Sequence, residues 1–248
     1  MSERGKKSRR AVSSRNGTLT LCGLGIDRPQ DVTLGTMQAL KECEVLFYIH
    51  GDGERLKPFF RTFCPDIRLY AGARYDRLTT EQKIEAVAAD VCAEMKKGKK
   101  IAYVTYGHPL LFSDGFNVLT LCRANGFDGR VLPAPSAVDS ILASCGELPE
   151  AFSNGYLVCS ADAAIKKPGM LKLDFPVVLL CLDAAVGRGR YGDLCGLIEE
   201  AYPAGHRIFA VKCRDSYSET VRLDGRVSDL RGWEKKIVHM MSLVVPAR

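Results

Sequence analysis

The chain has 248 residues, 46% of them apolar, a net charge of +6 and ten cysteines. That is enough apolar content for one large or two small α/β cores, and no run of about 18 apolar residues would span a membrane. The charge is uneven: Arg4, Lys6, Lys7, Arg9, Arg10 and Arg15 against Glu3 put +5 into residues 1–17, leaving +1 for the rest, which argues against a nucleic-acid enzyme, whose fold more often carries a basic stripe.

Residues 1–16 are basic and rich in Ser, with almost no apolar content, and read as a disordered tail that is solvated or contacts an acidic partner segment. A strand over 18–22 runs into Gly23-Leu24-Gly25. A helix over 33–42, a strand over 45–49 and a short helix over 58–63 follow. The next helix, 80–97, is long and amphipathic: Ile84, Val87, Ala88, Val91 and Met95 recur at helical spacing, and Gly98 ends it. A strand over 101–105 enters the turn Tyr106-Gly107-His108-Pro109. A helix over 117–125 stops at Gly126, and 131–132 is a short strand. Pro133-Ala134-Pro135 disfavours helix and stiffens a connector, so the domain boundary falls there, separating 17–133 from 134–248. The second domain opens with a helix over 137–145. Strands are expected over 156–160, 177–182, 207–212, 220–223 and 240–245. The stretch 183–194, with Gly187, Gly189 and Gly192, reads as a flexible loop. Alternating strands and helices argue for βαβ units and a mostly parallel sheet.

The cysteines are scattered, several in apolar strands, and no Cys-x-x-Cys occurs, as for reduced buried thiols. His50, His108, His206 and His239 lack paired spacing, so no metal site is expected. The N-terminus lacks an apolar signal core, which points to the cytoplasm.

Three strand-to-loop junctions carry the functional signal: Leu19-Thr-Leu-Cys-Gly-Leu-Gly25, Val104-Thr-Tyr-Gly-His-Pro-Leu-Leu-Phe-Ser-Asp-Gly115, and Val131-Leu-Pro-Ala-Pro-Ser-Ala137. Such junctions expose backbone polar groups at the carboxyl edge of a sheet, where open α/β folds bind ligands. Their order resembles the tetrapyrrole methylase family, with Gly107-His108-Pro109 in place of Gly-Asp-Pro. Within that family the chain is most similar to borosin peptide backbone N-methyltransferases, on Tyr106-Gly-His-Pro109, Met95-Lys-Lys-Gly98, Ala124-Asn-Gly-Phe-Asp-Gly-Arg-Val-Leu-Pro133 and Leu197-Ile-Glu-Glu-Ala-Tyr-Pro203.

The resemblance implies a two-domain α/β tetrapyrrole methylase fold with a cofactor cleft between domains, and S-adenosylmethionine (SAM) as methyl donor. It implies that Tyr106, Gly107, His108, Leu111, Ser136, Ala137, Val211 and Ser242 line the cofactor pocket, and that Gly23, Gly25 and Tyr70 lie near substrate. Each position also has an ordinary reading: His108 as a turn histidine, Tyr106 as a core aromatic, Ser136 as a helix N-cap, Ser242 in a buried strand and Gly23-Leu-Gly25 as a strand-end turn. An amide nitrogen becomes nucleophilic when a base takes its proton and a cation holds the imidate oxygen. Arg74, Tyr75 and Arg77 are the catalytic candidates for that pairing; the same segment also reads as a solvated charged loop. The chain departs from the family pattern at Thr80 and Ile84, where ungapped alignment would place its Arg and Tyr, and at Val211, where a tyrosine is usual.

The expected activity is SAM-dependent α-N-methylation of backbone amides in a ribosomal precursor peptide. Because the chain ends at Arg248 without a peptide tail, that peptide is expected in trans, and the resemblance implies a homodimer. The alternatives are methylation of a tetrapyrrole or other small molecule, and a non-catalytic SAM- or peptide-binding relative.

Overall fold

Side chains in the N-terminal strands alternate between two apolar layers, the pattern of a sheet covered on both faces. In a computed structural model, residues 17–72, 75, 77–144, 154–171 and 174–248 are described. The basic tail (1–16) and Arg74 lie outside the described residues. The chain divides into two compact units: the described residues up to Leu24 with Val32–Ala134, and Gly25–Asp31 with Pro135–Arg248. The division falls within Pro133-Ala134-Pro135, while the loop after the first strand belongs to the second unit, a long-range association that local sequence does not signal.

In the first unit β1 (Thr18–Gly23), β2 (Val45–Tyr48), β3 (Ile67–Leu69), β4 (Lys100–Thr105) and β5 (Gly129–Val131) form a parallel sheet in the order β3-β2-β4-β1-β5. Leu19, Leu21, Phe47, Ile101 and Tyr103 face α3 (Thr80–Lys96) and α4 (Gly115–Ala124), whose Val87, Val91, Val118 and Cys122 complete that layer. The opposite face, Leu46, Tyr48, Ala102 and Val104, packs on Leu40 of α1 (Leu34–Glu42) and on Leu56 and Phe60 of α2 (Gly53–Arg61). Thr79 and Gln82 cap α3 reciprocally, side chain to backbone, which sets its start.

The second unit is mixed rather than mostly parallel. β6 (Leu157–Ser160) and β7 (Val177–Leu180) run parallel, but β7, β10 (Ser242–Val245), β8 (Arg207–Lys212) and β9 (Val221–Arg226) pair antiparallel in that order. One face packs on α5 (Ala137–Ser144) through Val138 and Ile141. The other packs on α6 (Ala161–Lys166), α7 (Leu182–Gly187) and α8 (Tyr191–Ala201). The stretch expected as a glycine-rich loop is therefore helical: Leu182, Ala185, Tyr191, Leu194, Cys195 and Ile198 bury an apolar stripe that outweighs the glycines' low helix propensity.

Candidate functional site

The parallel order puts the ends of β1, β4 and β5 side by side at the carboxyl edge of the first sheet. Backbone groups tie them together: Leu24 N donates to Thr105 O at 3.0 Å and Leu132 N to Leu21 O at 2.9 Å. Gly23 stands where the three loops meet. A Cβ there would lie 2.1 Å from Gly107 O, 2.5 Å from Ala134 Cβ and 3.0 Å from Pro109 Cδ, so only glycine admits this approach. Gly107 has φ +63° and turns the chain out of β4. His108 Nδ1 accepts the Leu110 N–H at 3.1 Å, which makes it the stop of that turn while its ring stays partly exposed. Leu110, Leu111, Phe112 and Phe116 are 37–56% exposed in succession. With Thr80 and Ile84 of α3, Leu110, Phe112 and Phe116 border a groove of about 430 Å³ that also reaches Ser113 and Asp114; Leu111 lies beside it and does not line it. A larger depression of about 560 Å³ lies at the opposite, amino edge, around Thr18, Lys100 and Arg130. Parallel sheets bind ligands at the carboxyl edge, so the groove is the candidate.

Beside this loop the structure assembles a polar cluster. His50 follows β2, and its Nε2 lies 3.4 Å from Asp114 Oδ1. Ser113 Oγ donates to the same oxygen at 3.2 Å, and the Tyr103 hydroxyl donates to Oδ2. Asp114 occupies the N-cap of α4 yet makes no side-chain cap bond, so its carboxylate serves the cluster instead of the helix. Tyr106 meets the His50 ring edge-on at 6.4 Å, and Tyr48 does so at 5.2 Å. Burial opposes the charge on Asp114, but the adjacent His50 ring and the Tyr103 hydroxyl outweigh it and hold the carboxyl below its usual range. A depressed carboxyl contributes stability above its unfolded pKa, about 3.9, that is lost as pH falls through the folded value. Asp114→Asn is expected to remove that part of the acid loss, read as a smaller drop in urea midpoint below about pH 4 than in wild type.

Of the residues expected from sequence, Tyr106, Gly107, His108 and Leu111 come together on this loop. Tyr70 does not reach a surface: it is 2% exposed, packs on Phe47 and donates its hydroxyl to Asp90, so it is a core residue. Gly23 and Gly25 are also enclosed; Gly25, at φ +74°, serves a turn in which Ile26 N and Asp27 N donate to Asp31 Oδ2 at 3.0 and 2.9 Å. Tyr75 is half-buried with its ring 4.8 Å from Tyr70, and Arg77 is exposed. In the second unit Ser136 is buried. Its N–H and hydroxyl both donate to Asp139 Oδ2 at 2.6 Å, and Asp139 N returns a long 3.5 Å bond to Ser136 Oγ, a capping arrangement at the start of α5. Ala137 packs against the layer containing Val211. Val211 and Ser242 are register partners in β8 and β10, 1% and 3% exposed, so they offer a ligand backbone atoms only. The His50–Asp114–Tyr103 cluster was not singled out from sequence. Asp114 and Tyr103 lie in or next to the motif, but His50 reaches them only because β2 pairs with β4.

Comparison with known proteins follows the same lines. The sequence profile of Tetrapyrrole (Corrin/Porphyrin) Methylases matches residues 18–212. Among curated proteins, the chain is 29% identical over 134 residues to the methyltransferase/ribosomally synthesized cyclic peptide lentinulin A precursor of Lentinula edodes, covering 52% of this chain and 31% of the relative. It is 26% identical over 249 residues to a methyltransferase/ribosomally synthesized type I borosin cyclic peptide precursor of Mycena rosella, covering 94% and 60%. The chain thus spans 31% to 60% of the length of these relatives. Among solved structures, a uroporphyrin-III C-methyltransferase from Thermus thermophilus complexed with S-adenosyl homocysteine superposes with TM-score 0.65 at 16% identity, covering 93% of this chain and 97% of the other. The methyltransferase CobJ gives 0.66 at 15%, covering 93% and 94%.

Proposed function

The chain belongs to the tetrapyrrole (corrin/porphyrin) methylase family, and on that premise we propose that it transfers the methyl group of SAM to backbone amide nitrogens of a ribosomal peptide carried on a separate chain. The observation that carries the peptide reading is the similarity, over half of the chain or more, to methyltransferase/cyclic peptide precursors. The exposed apolar run Leu110-Leu111-Phe112 with Phe116 suits both a nucleoside ring and an apolar peptide, and supports the same reading.

The residues present fit the cofactor. An adenosyl group with a charged amino-acid end asks for apolar surface beside backbone donors and acceptors, which a left-handed Gly107 followed by exposed leucines provides. Tyr106, Gly107, His108 and Leu111 would hold it. When bound, SAM supplies a methyl group already activated on a sulfonium, so the protein's own task is alignment and proton removal. Tyr75 and Arg77 stand in the segment before α3 for that chemistry, and the enzyme acts as a homodimer in this reading.

The test is incubation of the full chain with SAM and short apolar synthetic peptides, read by intact mass and fragmentation. Whole methyl groups on backbone nitrogens are expected. Peptides left unmodified while a porphyrin gains methyl groups would overturn the peptide assignment in favour of a small-molecule acceptor.

A further inference from the structure

We propose that His50, oriented by Asp114, is the proton acceptor of the reaction. This rests on the methyltransferase reading above and moves the base from Tyr75 to His50, leaving Arg77 as the cation for the imidate oxygen.

The geometry has the parts of an oriented base. Nε2 of His50 is a buried atom without a hydrogen-bond partner among the described residues, and Asp114 Oδ1 faces it at 3.4 Å. The side chain as a whole is 34% exposed, so its accessible surface lies elsewhere than at Nε2. An anionic carboxylate facing Nε2 favours the tautomer with the proton there, which leaves the lone pair on Nδ1. The carboxylate is itself fixed: Tyr103 and Ser113 donate to its two oxygens, and burial with the Asp114 charge keeps the Tyr103 phenol protonated as a donor. Asp114 forgoes its cap role at α4, which a purely structural aspartate at that position would fill. Tyr106, from the loop after β4, borders the same ring, placing His50 against the segment expected to hold the cofactor.

In the step assigned to it, a bond forms between the acceptor nitrogen and the methyl carbon as the carbon–sulfur bond breaks. The electron pair of the broken bond returns to sulfur. The N–H proton passes to Nδ1 of His50, whose positive charge Asp114 offsets. The groups that face His50 are Asp114 from α4, Tyr48 from β2 and Tyr106 after β4. Tyr103 acts through Asp114, and Asp52 through Tyr48, whose hydroxyl donates to it at 2.7 Å.

Two readouts test this. Side-chain ¹⁵N resonances of His50 in the full chain, without any ligand, are expected to show the proton on Nε2, and Asp114→Asn to remove that preference. With SAM and a short apolar peptide, His50→Gln is expected to lower kcat ~10²–10⁴-fold, the usual worth of a general base, with SAM binding unchanged. Asp114→Asn should give a smaller loss. The wild-type rate should fall toward acid pH, and His50→Gln should lack that limb. His50→Gln at wild-type rate with the acid limb intact overturns the proposal, as does loss of rate explained by lost SAM binding. If wild type leaves the peptide unmodified, the peptide reading fails separately, and the same variants are compared on a porphyrin acceptor. Methylation of neither ends both.

Discussion

Tyr103→Ala is expected to destabilise the protein by about 3–5 kcal/mol, the range for truncating a buried aromatic. Tyr103 is fully buried in β4 between Phe47 of β2 and Leu21 of β1 on one layer of the first sheet, so its ring cannot be replaced by collapse of exposed groups. Its hydroxyl also donates to Asp114, so truncation leaves a nearly buried carboxylate one donor short. Tyr103→Phe separates the two effects. It keeps the ring and is expected to cost about 1.5–3 kcal/mol at neutral pH, as for a hydrogen bond to a charged group. That cost should shrink once Asp114 protonates, because the carboxylate no longer needs the donor. Urea denaturation of both variants at neutral and acid pH reads this directly; equal costs at both pH values would show that the hydroxyl does not support the charge.

Gly23→Ala is the second large effect. The added methyl would sit 2.1 Å from a backbone oxygen and 2.5 Å from Ala134 Cβ, and neither is the free end of a flexible side chain. Overpacking of this kind costs about 1–3 kcal/mol, and relief requires the loops after β1, β4 and β5 to separate. The variant should therefore lose both stability and SAM affinity. Gly51→Ala, which meets no atom within 4 Å, is the control expected to change neither. Wild-type stability in Gly23→Ala would mean that the loops are not held together at this point.

The elements that carried strong periodicity were legible in the sequence. The spacing of Ile84, Val87, Val91 and Met95 and the closing Gly98 placed α3 within one residue. The apolar runs of β1, β4 and β8 were likewise plain. Ile67–Leu69 is too short to show a period and was missed as β3. Val221–Arg226 is polar and half exposed, so nothing local announced that it pairs antiparallel with β8 along its length. The glycines at 187, 189 and 192 pointed to a loop, whereas burial of Tyr191 and Leu194 against the second sheet decides for helix. At the site, the loop Tyr106-Gly107-His108 was readable because glycine and proline punctuate a strand end. The enclosure of Tyr70, Gly23 and Gly25 was not, since burial depends on what the fold brings against a residue. Nor was the pairing of His50 with Asp114, 64 positions apart, which follows from the crossover that sets β2 beside β4.

The central claim is that the loop after β4 is a SAM site. Calorimetric titration of S-adenosylhomocysteine into the full chain, and into Leu111→Lys, tests it most directly. Leu111 is 39% exposed, so the substitution should leave the fold intact. Saturable binding by wild type and at least about tenfold weaker binding by the variant, ~1.4 kcal/mol, is the expected result. No binding by wild type, or equal binding by both chains, would contradict it.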